Sequence, residues 1–280
     1  MLFKEKTAVI VKGGGDIGTG VAHRLFREGY RIVVVDIDRP TAVRRQVSFC
    51  EAIYQGEVQV EEVRARKIAV DKKLVEQLKL HQFVPVVVDQ DNSGSMVIKL
   101  FELLRHQFKP HILIDAILAK KNLGTSITDA DLVLGLGPGF VAGNEVHYII
   151  ETNRGPDLGK VIRSGSAEPD TKVPAPVLGI SGDRVIRAPM SGIFNPAVQI
   201  GQMVMQGQNL GEINGNKISA PISGLIRGLL KEGLSVKPGM KLGDIDPRGD
   251  AVKANRISDK ADKIAEGVSQ AIGQFFGVTS

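Results

Sequence analysis

A repeat with an offset of 32 residues, late in the chain, constrains the fold more than any other feature of the sequence. The run Ala188-Pro189-Met190-Ser191-Gly192 returns as Ala220-Pro221-Ile222-Ser223-Gly224. The same offset relates Gly201 to Gly233, Val204 to Val236, Gly207 to Gly239, Leu210 to Leu242, Gly211 to Gly243 and Ile213 to Ile245. A fixed offset kept over a whole segment indicates duplicated supersecondary structure. Because glycine and proline recur among short apolar pairs, we expect short strands joined by tight turns.

These two halves resemble the hammerhead fold of biotinyl and lipoyl domains over about residues 188–246. In those domains the modified lysine lies seven residues before the alanine of the second Ala-Pro pair. Counting back from Ala220 reaches Ile213, and Lys217 is out of register. The dipeptide Asn214-Gly215 instead predicts a hairpin turn. We therefore expect no biotin or lipoate, and a scaffold or interaction role for this segment.

The N-terminal part of the chain alternates strand-like and helical patterns. Nearly continuous apolar runs indicate buried parallel strands, and they cover residues 7–11, 31–36, 84–89, 111–115 and 132–136. Helical spacing fits residues 16–28, 71–80 and 96–104, and Asp71 and Ser258 are placed to cap helices. The predicted fold class is therefore α/β: a Rossmann-like, mainly parallel sheet, then a small β biotinyl/lipoyl-like hammerhead domain and a C-terminal helix.

The predicted domain boundaries follow from changes in composition. Residues 166–184 are rich in Pro, Gly, Asp and Ser, which is typical of a linker or irregular extension. The predicted segments are a Rossmann-like nucleotide- or cofactor-binding domain over 1–165, this linker over 166–184, a barrel-sandwich domain without a modifiable lysine over 185–248, and a helix over 249–280.

A glycine-rich turn lies between the first predicted strand and helix. Gly13, Gly15 and Gly18 match G-x-G-x-x-G, in which the glycines permit a tight turn, close approach of a pyrophosphate, and close helix packing. The helix N-terminus would supply N–H donors to the anion. Asp36 ends the second strand, where the motif expects an acid that accepts a ribose hydroxyl. The alternative is a turn whose glycines serve only close packing.

Two charged residues border this turn. Asp16 lies in the first turn of the helix, where its carboxylate would repel part of a bound anion or would cap the helix. Lys12 directly precedes the glycines and could offset that charge. Both residues are therefore included in the predicted cofactor site.

A second cluster of polar loops follows later strands of the predicted sheet. Ligand residues in open α/β sheets lie at the carboxyl ends of strands, so these loops would converge on one crevice. Each loop on its own is more typical of a solvated turn, whereas the loops taken together favour a site. The cofactor-binding residues predicted from this cluster are Lys120, Lys121, Asn122, Gly135, Gly137, Gly139, Asn153 and Arg154.

The sequence nominates neither a metal site nor a nucleophile. No His/Cys group has zinc spacing, and no G-x-S-x-G motif is present. His147 is more typical of a structural strand histidine than of a catalytic one. Cys50 is the single cysteine, which fits a reducing compartment and an inert core thiol. We therefore predict no metal, and leave catalytic residues unassigned.

Composition and charge limit the partners. A net charge of +5 gives at most a weak preference for anions, with one short basic run at residues 64–67 that is typical of a solvated face. Aromatic residues make up 5% and Trp is absent, so no stacking platform for nucleic acids is expected. The early apolar stretch is too short for a signal peptide, and no run is long enough to span a membrane. We expect a cytoplasmic protein.

Longer motifs resemble the YqeB family of selenium-dependent molybdenum hydroxylase system proteins, nearly from end to end. They comprise Gly15-Asp16 with residues 19–24, and the runs 42–45, 115–125, 134–143 and 151–155, with the twin Ala-Pro halves. The resemblance implies a role in maturing selenium-dependent molybdenum hydroxylases, with the apo-hydroxylase as partner. It extends more distantly to XdhC proteins, which handle molybdenum cofactor, and implies a molybdopterin dinucleotide as ligand.

Three functions remain open from the sequence. The first is an accessory maturation factor that binds a dinucleotide-type ligand such as molybdenum cofactor. The second is an NAD-dependent oxidoreductase, because Asp36 would favour NAD(H) over NADP(H). The third is a non-catalytic docking protein for the apo-hydroxylase, whose glycine turn binds nothing.

Overall fold

The computed structural model describes residues 3–90, 94–171, 177–249 and 254–278. The chain forms two compact units. The first comprises Met1–Pro40, Phe49–Asp170 and Ile257–Ser280, and the second comprises Thr41–Ser48 and Thr171–Arg256. Residues 172–176 of the predicted linker and 250–253 of the predicted C-terminal segment lie outside the described residues.

The first unit is an α/β assembly. Its helices are α1 (Phe3–Lys6), α2 (Asp16–Arg27), α3 (Ala52–Gln55), α4 (Lys72–Leu80), α5 (Ser95–Leu104) and α6 (Asp259–Phe276), with a 3-10 turn at Phe49–Glu51. Its strands are β1 (Ala8–Lys12), β2 (Arg31–Ile37), β3 (Glu57–Val60), β4 (Val63–Lys67), β5 (Val84–Asp89), β6 (His111–Asp115), β7 (Leu132–Leu136), β8 (Tyr148–Ile150) and β9 (Val161–Ile162).

These nine strands form one mixed sheet in the order β3-β4-β5-β2-β1-β6-β7-β8-β9. The seven strands from β4 to β8 in this order are parallel to one another, whereas β3 and β9 pair antiparallel at the two edges. Strand β1 is central and its first four residues are fully buried, which explains its unbroken run of apolar side chains.

Helices pack on the sheet through apolar side chains that alternate along its strands. Ala8 and Ile10 of β1 share a core with Leu74 and Leu78 of α4 and Leu100 of α5. Helix α2 packs closely on α6 at Gly20. A Cβ at this position would lie only 2.8 Å from the Cβ of Ala261, so the absence of a side chain permits the contact. The last helix of the chain therefore belongs to the same unit as the glycine-rich turn.

The second unit contains the repeat. Its strands are β10 (Val185–Arg187), β11 (Gly192–Pro196), β12 (Met203–Val204), β13 (Asn209–Ile213), β14 (Asn216–Ser219), β15 (Gly224–Leu229), β16 (Leu234–Val236) and β17 (Lys241–Asp246), with 3-10 turns at Arg45–Val47 and Gly182–Arg184. They form two antiparallel sheets, β10-β17-β15-β12 and β14-β13-β11-β16. Glycines at the repeat offset adopt similar backbone angles, with φ of 158° and 153° at Gly192 and Gly224.

The predicted hairpin turn is confirmed. Asn214 and Gly215 connect β13 to β14, and both have positive φ, at 50° and 81°. Two successive positive φ values are the signature of the type I′ turn that Asn-Gly favours.

The predicted layout of a Rossmann-like sheet followed by a biotinyl/lipoyl-like hammerhead and a separate helix is wrong. The large sheet is mixed, because strands β3 and β9 pair antiparallel at its two edges. Its β6–β7 and β7–β8 connections contain no helix among their described residues. The second unit consists of two separate antiparallel sheets, and it takes in residues 41–48 from the N-terminal half.

Within the described residues, no helix is both long enough and apolar enough to cross a membrane.

Candidate anion-binding crevice

The three motif glycines lie in different surroundings. Gly13 has a φ of 96°, a conformation that favours glycine, and its N–H donates to the Val35 carbonyl at 2.8 Å. A Cβ on Gly18 would collide with the carbonyl oxygen of Gly13, so the third glycine allows α2 to pack on the turn. Gly15 has an ordinary φ of −67°, and a Cβ there would meet nothing within 4 Å. The middle glycine therefore borders open space.

Asp36 holds the glycine turn from the neighbouring strand. One of its carboxylate oxygens accepts from the Gly14 N–H at 2.7 Å, and the other accepts from the Ile37 N–H at 2.8 Å. Burial raises the pKa of this carboxyl group, although both hydrogen bonds act in the opposite direction. The Cys50 N–H donates to the Gly14 carbonyl at 3.0 Å, so the buried segment that carries the cysteine also braces the turn. The predicted ribose contact of Asp36 stays a prediction.

Lys12 is tied to the end of the adjacent strand β6. Its ammonium donates to the Thr125 hydroxyl at 2.8 Å and lies 3.4 Å from a carboxylate oxygen of Asp115. The Thr125 hydroxyl donates to the same carboxylate at 2.6 Å. This buried triad joins the glycine turn to the loop after β6. The predicted site included Lys12 but neither Asp115 nor Thr125.

A cavity of about 450 Å³ lies beside Lys12. Its apolar side comes from Val97 and Phe101 of α5 and from Leu113 of β6, and Gly124 lines it from the following loop.

The Lys120–Asn122 loop is ordered by its own hydrogen bonds. The side-chain oxygen of Asn122, Oδ1, accepts hydrogen bonds from the backbone N–H groups of Gly124 and Thr125 at 2.9 and 2.8 Å. The Asn122 amide donates to the Thr125 carbonyl at 2.8 Å. Lys120 and Lys121 lie exposed on the same loop, and the Lys120 ammonium is 4.0 Å from Asp170.

The glycines of the second loop are required for close packing. A Cβ on Gly135 would press on the Phe140 ring, and one on Gly137 would collide with the Thr152 hydroxyl. A Cβ on Gly139 would lie 2.6 Å from the Lys121 backbone nitrogen. This packing accounts for the three glycines and holds their loop against the lysine loop.

The loop after β8 is organised by a buried acid. One oxygen of Glu151 accepts from the N–H groups of Thr152 and Asn153, each at 2.7 Å. The Asn153 amide in turn donates to the carboxylate of Glu168. Arg154 forms a two-point ion pair with Asp259, the first residue of α6, at 2.7 and 3.0 Å. The loop is thereby attached to the N-terminus of that helix.

Lys260, in the first turn of α6, was missed by the sequence analysis. Burial lowers the pKa of its amine, as do the nearby charges of Lys120 and Arg154, while Asp16 and Asp170 act in the opposite direction. These influences bring three of the predicted residues, Asp16, Lys120 and Arg154, within electrostatic reach of one amine. Within the described parts of the chain, this amine forms no hydrogen bond or ion pair.

One sequence signal could have identified Lys260. A cation in the first turn of a helix opposes the helix dipole and is disfavoured there unless something else requires it. The arrangement of the amine with Lys120, Arg154 and the N-terminus of α2 is suited to bind an anion with several charged oxygens.

By fold and site, the first unit belongs to the class of α/β proteins with a glycine turn at the carboxyl edge of a parallel strand. No protein-family model matches the chain. It is similar to the uncharacterized protein YqeB of Escherichia coli (strain K12), with 42% identity over 264 residues, or 94% of this chain. The chain spans about half the length of this curated relative, at 47%. The similarity supports the YqeB family resemblance, and the relative's name carries no statement of function.

Several solved structures have limited similarity to this chain. They are the product-bound ectoine utilization protein EutE (DoeB) from Ruegeria pomeroyi (11% identity, TM-score 0.25), an aspartoacylase family protein from Mesorhizobium loti (11%, 0.24) and a succinylglutamatedesuccinylase/aspartoacylase from Rhodobacter sphaeroides (10%, 0.26). Each alignment covers 85% of this chain and 84–85% of the other. At such TM-scores they assign neither fold nor function here.

Proposed function

We propose that the first unit binds a dinucleotide-type ligand whose pyrophosphate lies against the glycine turn, and that the chain acts as a maturation factor for selenium-dependent molybdenum hydroxylases. The observation that carries the ligand proposal is the amine of Lys260, which has no hydrogen bond or ion pair among the residues that the structure describes. It lies among the charges of Asp16, Lys120 and Arg154.

The electrostatics favour an anion at this position. Burial and the charges of Lys120 and Arg154 disfavour the charged amine of Lys260, although Asp16 and Asp170 act in the opposite direction. A bound pyrophosphate would add negative charge there and so stabilise the charged form. The ligand would bring its own negative charge beside Lys260 and Lys120, with the N-terminus of α2 adding N–H donors. Open space at Gly15 leaves room for the phosphate oxygens.

The cavity beside Lys12 suits the organic part of such a ligand. Its volume of about 450 Å³ falls within the range of roughly 300–1,000 Å³ found for small-molecule sites. Apolar side chains on one wall and polar groups near Lys12 would favour a flat, heteroatom-rich ring, such as a pterin or a nucleobase.

The maturation role and the molybdopterin dinucleotide rest on the resemblance to the YqeB family. An NAD-dependent oxidoreductase is the second candidate, which the position of Asp36 favours. Both oxygens of Asp36 already accept backbone N–H groups, which makes this acid a brace for the turn as well as a possible ribose acceptor. A docking protein for apo-hydroxylase is the third candidate.

Calorimetric titration with molybdopterin cytosine dinucleotide and with NADH tests the ligand proposal. We expect saturable binding of the molybdopterin dinucleotide. Lys260→Met should weaken it about 10- to 100-fold, the equivalent of one charge-assisted contact of roughly 1.5–3 kcal/mol. Lys263→Met is the matched control, since Lys263 lies on the same helix, paired with Glu266.

The outcomes separate the three candidates. Tight, stoichiometric binding of NADH alone would favour the oxidoreductase. Absence of binding by either dinucleotide, with capture of apo-hydroxylase that survives Gly15→Asp, would favour the docking protein. Equal affinity of wild type and Lys260→Met would refute the assignment of the crevice.

A further inference from the structure

Three potential metal ligands meet on the first unit, and none of them is among the residues assigned to the crevice. His23 lies on α2, and Glu61 and Glu62 form the two-residue tip of the β3–β4 hairpin. The Nε2 atom of His23 is 3.5 Å from a carboxylate oxygen of Glu62 and 3.9 Å from one of Glu61. One ligand atom from each residue lies within 4.8 Å of the others.

The imidazole points into this group without a hydrogen-bond partner. His23 is 5% exposed, and its Nε2 atom has no hydrogen bond to any described residue. A buried ring nitrogen is normally satisfied by a donor, an acceptor or a metal. Its orientation toward two carboxylates leaves a position where a cation would satisfy all three groups.

Both glutamates are held by one oxygen and present the other to His23. In Glu62, Oε1 forms an ion pair with the Arg27 guanidinium, 2.8 Å from its Nε atom, while Oε2 faces the imidazole. In Glu61, Oε1 accepts from the Ile257 N–H at 3.2 Å, and again Oε2 faces the imidazole. Outer contacts of this kind orient the ligands of protein metal sites.

The hairpin tip has a backbone conformation that its residue type does not favour. Glu61 has a φ of 52°, in the left-handed region where glycine, asparagine and aspartate are common. Glutamate at this position costs free energy relative to those residues. A requirement for a carboxylate that reaches His23 would explain why glutamate is present at this position.

We propose that His23 Nε2, Glu61 Oε2 and Glu62 Oε2 bind a divalent first-row transition ion, with Zn²⁺ as the probe. At bond lengths of about 2.0–2.2 Å, tetrahedral ligand atoms lie roughly 3.4 Å apart, close to the two distances from Nε2. Imidazole with carboxylates suits such ions better than Mg²⁺ or Ca²⁺, which prefer oxygen ligands alone. The sequence predicted no metal, because His23 is far in sequence from Glu61 and Glu62 and the three form no recognisable metal-binding spacing.

Titration of chelator-treated full-length protein with Zn²⁺, followed by calorimetry, tests the site. We expect one saturable site per chain and a rise in melting temperature with added Zn²⁺. Glu62→Gln should weaken binding at least tenfold. Glu57→Gln, in the same hairpin but paired with Arg66, should bind as wild type does.

A second variant separates ligation from folding. His23→Gln removes the imidazole, and if this buried change unfolds the protein, the exposed Glu62 still supports the comparison. Equal affinities of Glu62→Gln and Glu57→Gln, or no saturable Zn²⁺ binding, would overturn the proposal. Binding of Mg²⁺ as tight as Zn²⁺ would also overturn it, because the imidazole would then contribute nothing.

Discussion

At the scale of single residues, each glycine of the turn has its own physical role. Gly13 supplies a left-handed φ, Gly18 allows the helix to approach, and Gly15 borders open space. The motif could be predicted from sequence because its spacing encodes these requirements. The position of Lys260 in the first turn of a helix is a sequence signal, but its proximity to Lys120 depends on the packing of α6 within the first unit, which the sequence does not show.

Alanine at two of these glycines should have unequal effects on stability. Gly18→Ala should lower the free energy of unfolding by about 1–3 kcal/mol, because its Cβ collides with backbone that cannot move aside freely. Gly15→Ala should lower it by less, about 0.5–1 kcal/mol, because the added methyl group meets nothing and only the N-cap preference for glycine over alanine is lost. Urea denaturation of both variants measures the difference. Equal losses would show that the turn is packed differently.

Lys260 should also affect the pH dependence of stability. Burial and the charges of Lys120 and Arg154 lower its pKa in the folded state. The unfolded chain therefore holds this proton more tightly, and the folded state gains stability as pH rises from the lowered pKa toward the unfolded value.

Lys260→Met should therefore raise the free energy of unfolding at pH 7, with a smaller gain at pH 9.5. Denaturation at the two pH values, with Lys263→Met for comparison, measures this change. A gain that does not shrink at the higher pH would contradict a lowered pKa in the folded state.

At the scale of elements, strands and helices with strong periodicity were predicted well. Strands β5, β6 and β7 have the predicted bounds, and Asp71 and Ser258 cap α4 and α6 as expected. The β3–β4 hairpin was missed because β4 contains the basic run at residues 64–67, which resembles a solvated face. In the structure, β4 alternates between buried and exposed residues, and Ala65 is fully buried between exposed neighbours.

The two caps provide a matched pair of substitutions. Ser258→Ala and Asp71→Ala each remove a side-chain acceptor for a helix N–H, and each should cost about 1 kcal/mol of stability. Only the Ser258 cap lies at the end of the helix that carries Lys260. Ser258→Ala should therefore also weaken binding of molybdopterin cytosine dinucleotide, whereas Asp71→Ala should not. Calorimetry with both variants checks this. Equal affinities of the two variants for the dinucleotide would show that the N-terminus of α6 is not part of the site.

At the scale of the whole molecule, the repeat was predictable, but the overall layout was not. Identical residues at a fixed offset occur at positions with the same backbone requirements, as the matching φ angles of Gly192 and Gly224 show. The antiparallel edges of the large sheet have no comparable signal, because β9 has only two residues. The return of α6 to the first unit depends on packing between distant segments, which sequence periodicity does not record.

Binding of a pyrophosphate-containing ligand at the glycine turn is the central claim, and Gly15→Asp tests it most directly. The substitution adds bulk and a negative charge where the phosphates would lie, without steric conflict in the ligand-free protein. Thermal melting is measured for wild type and Gly15→Asp, without ligand and with molybdopterin cytosine dinucleotide or NADH. We predict similar melting temperatures without ligand, and loss of stabilisation by whichever dinucleotide stabilises wild type, since about 3 kcal/mol weakens affinity more than a hundredfold. A variant that melts normally and is still stabilised by that dinucleotide would contradict the placement of the ligand.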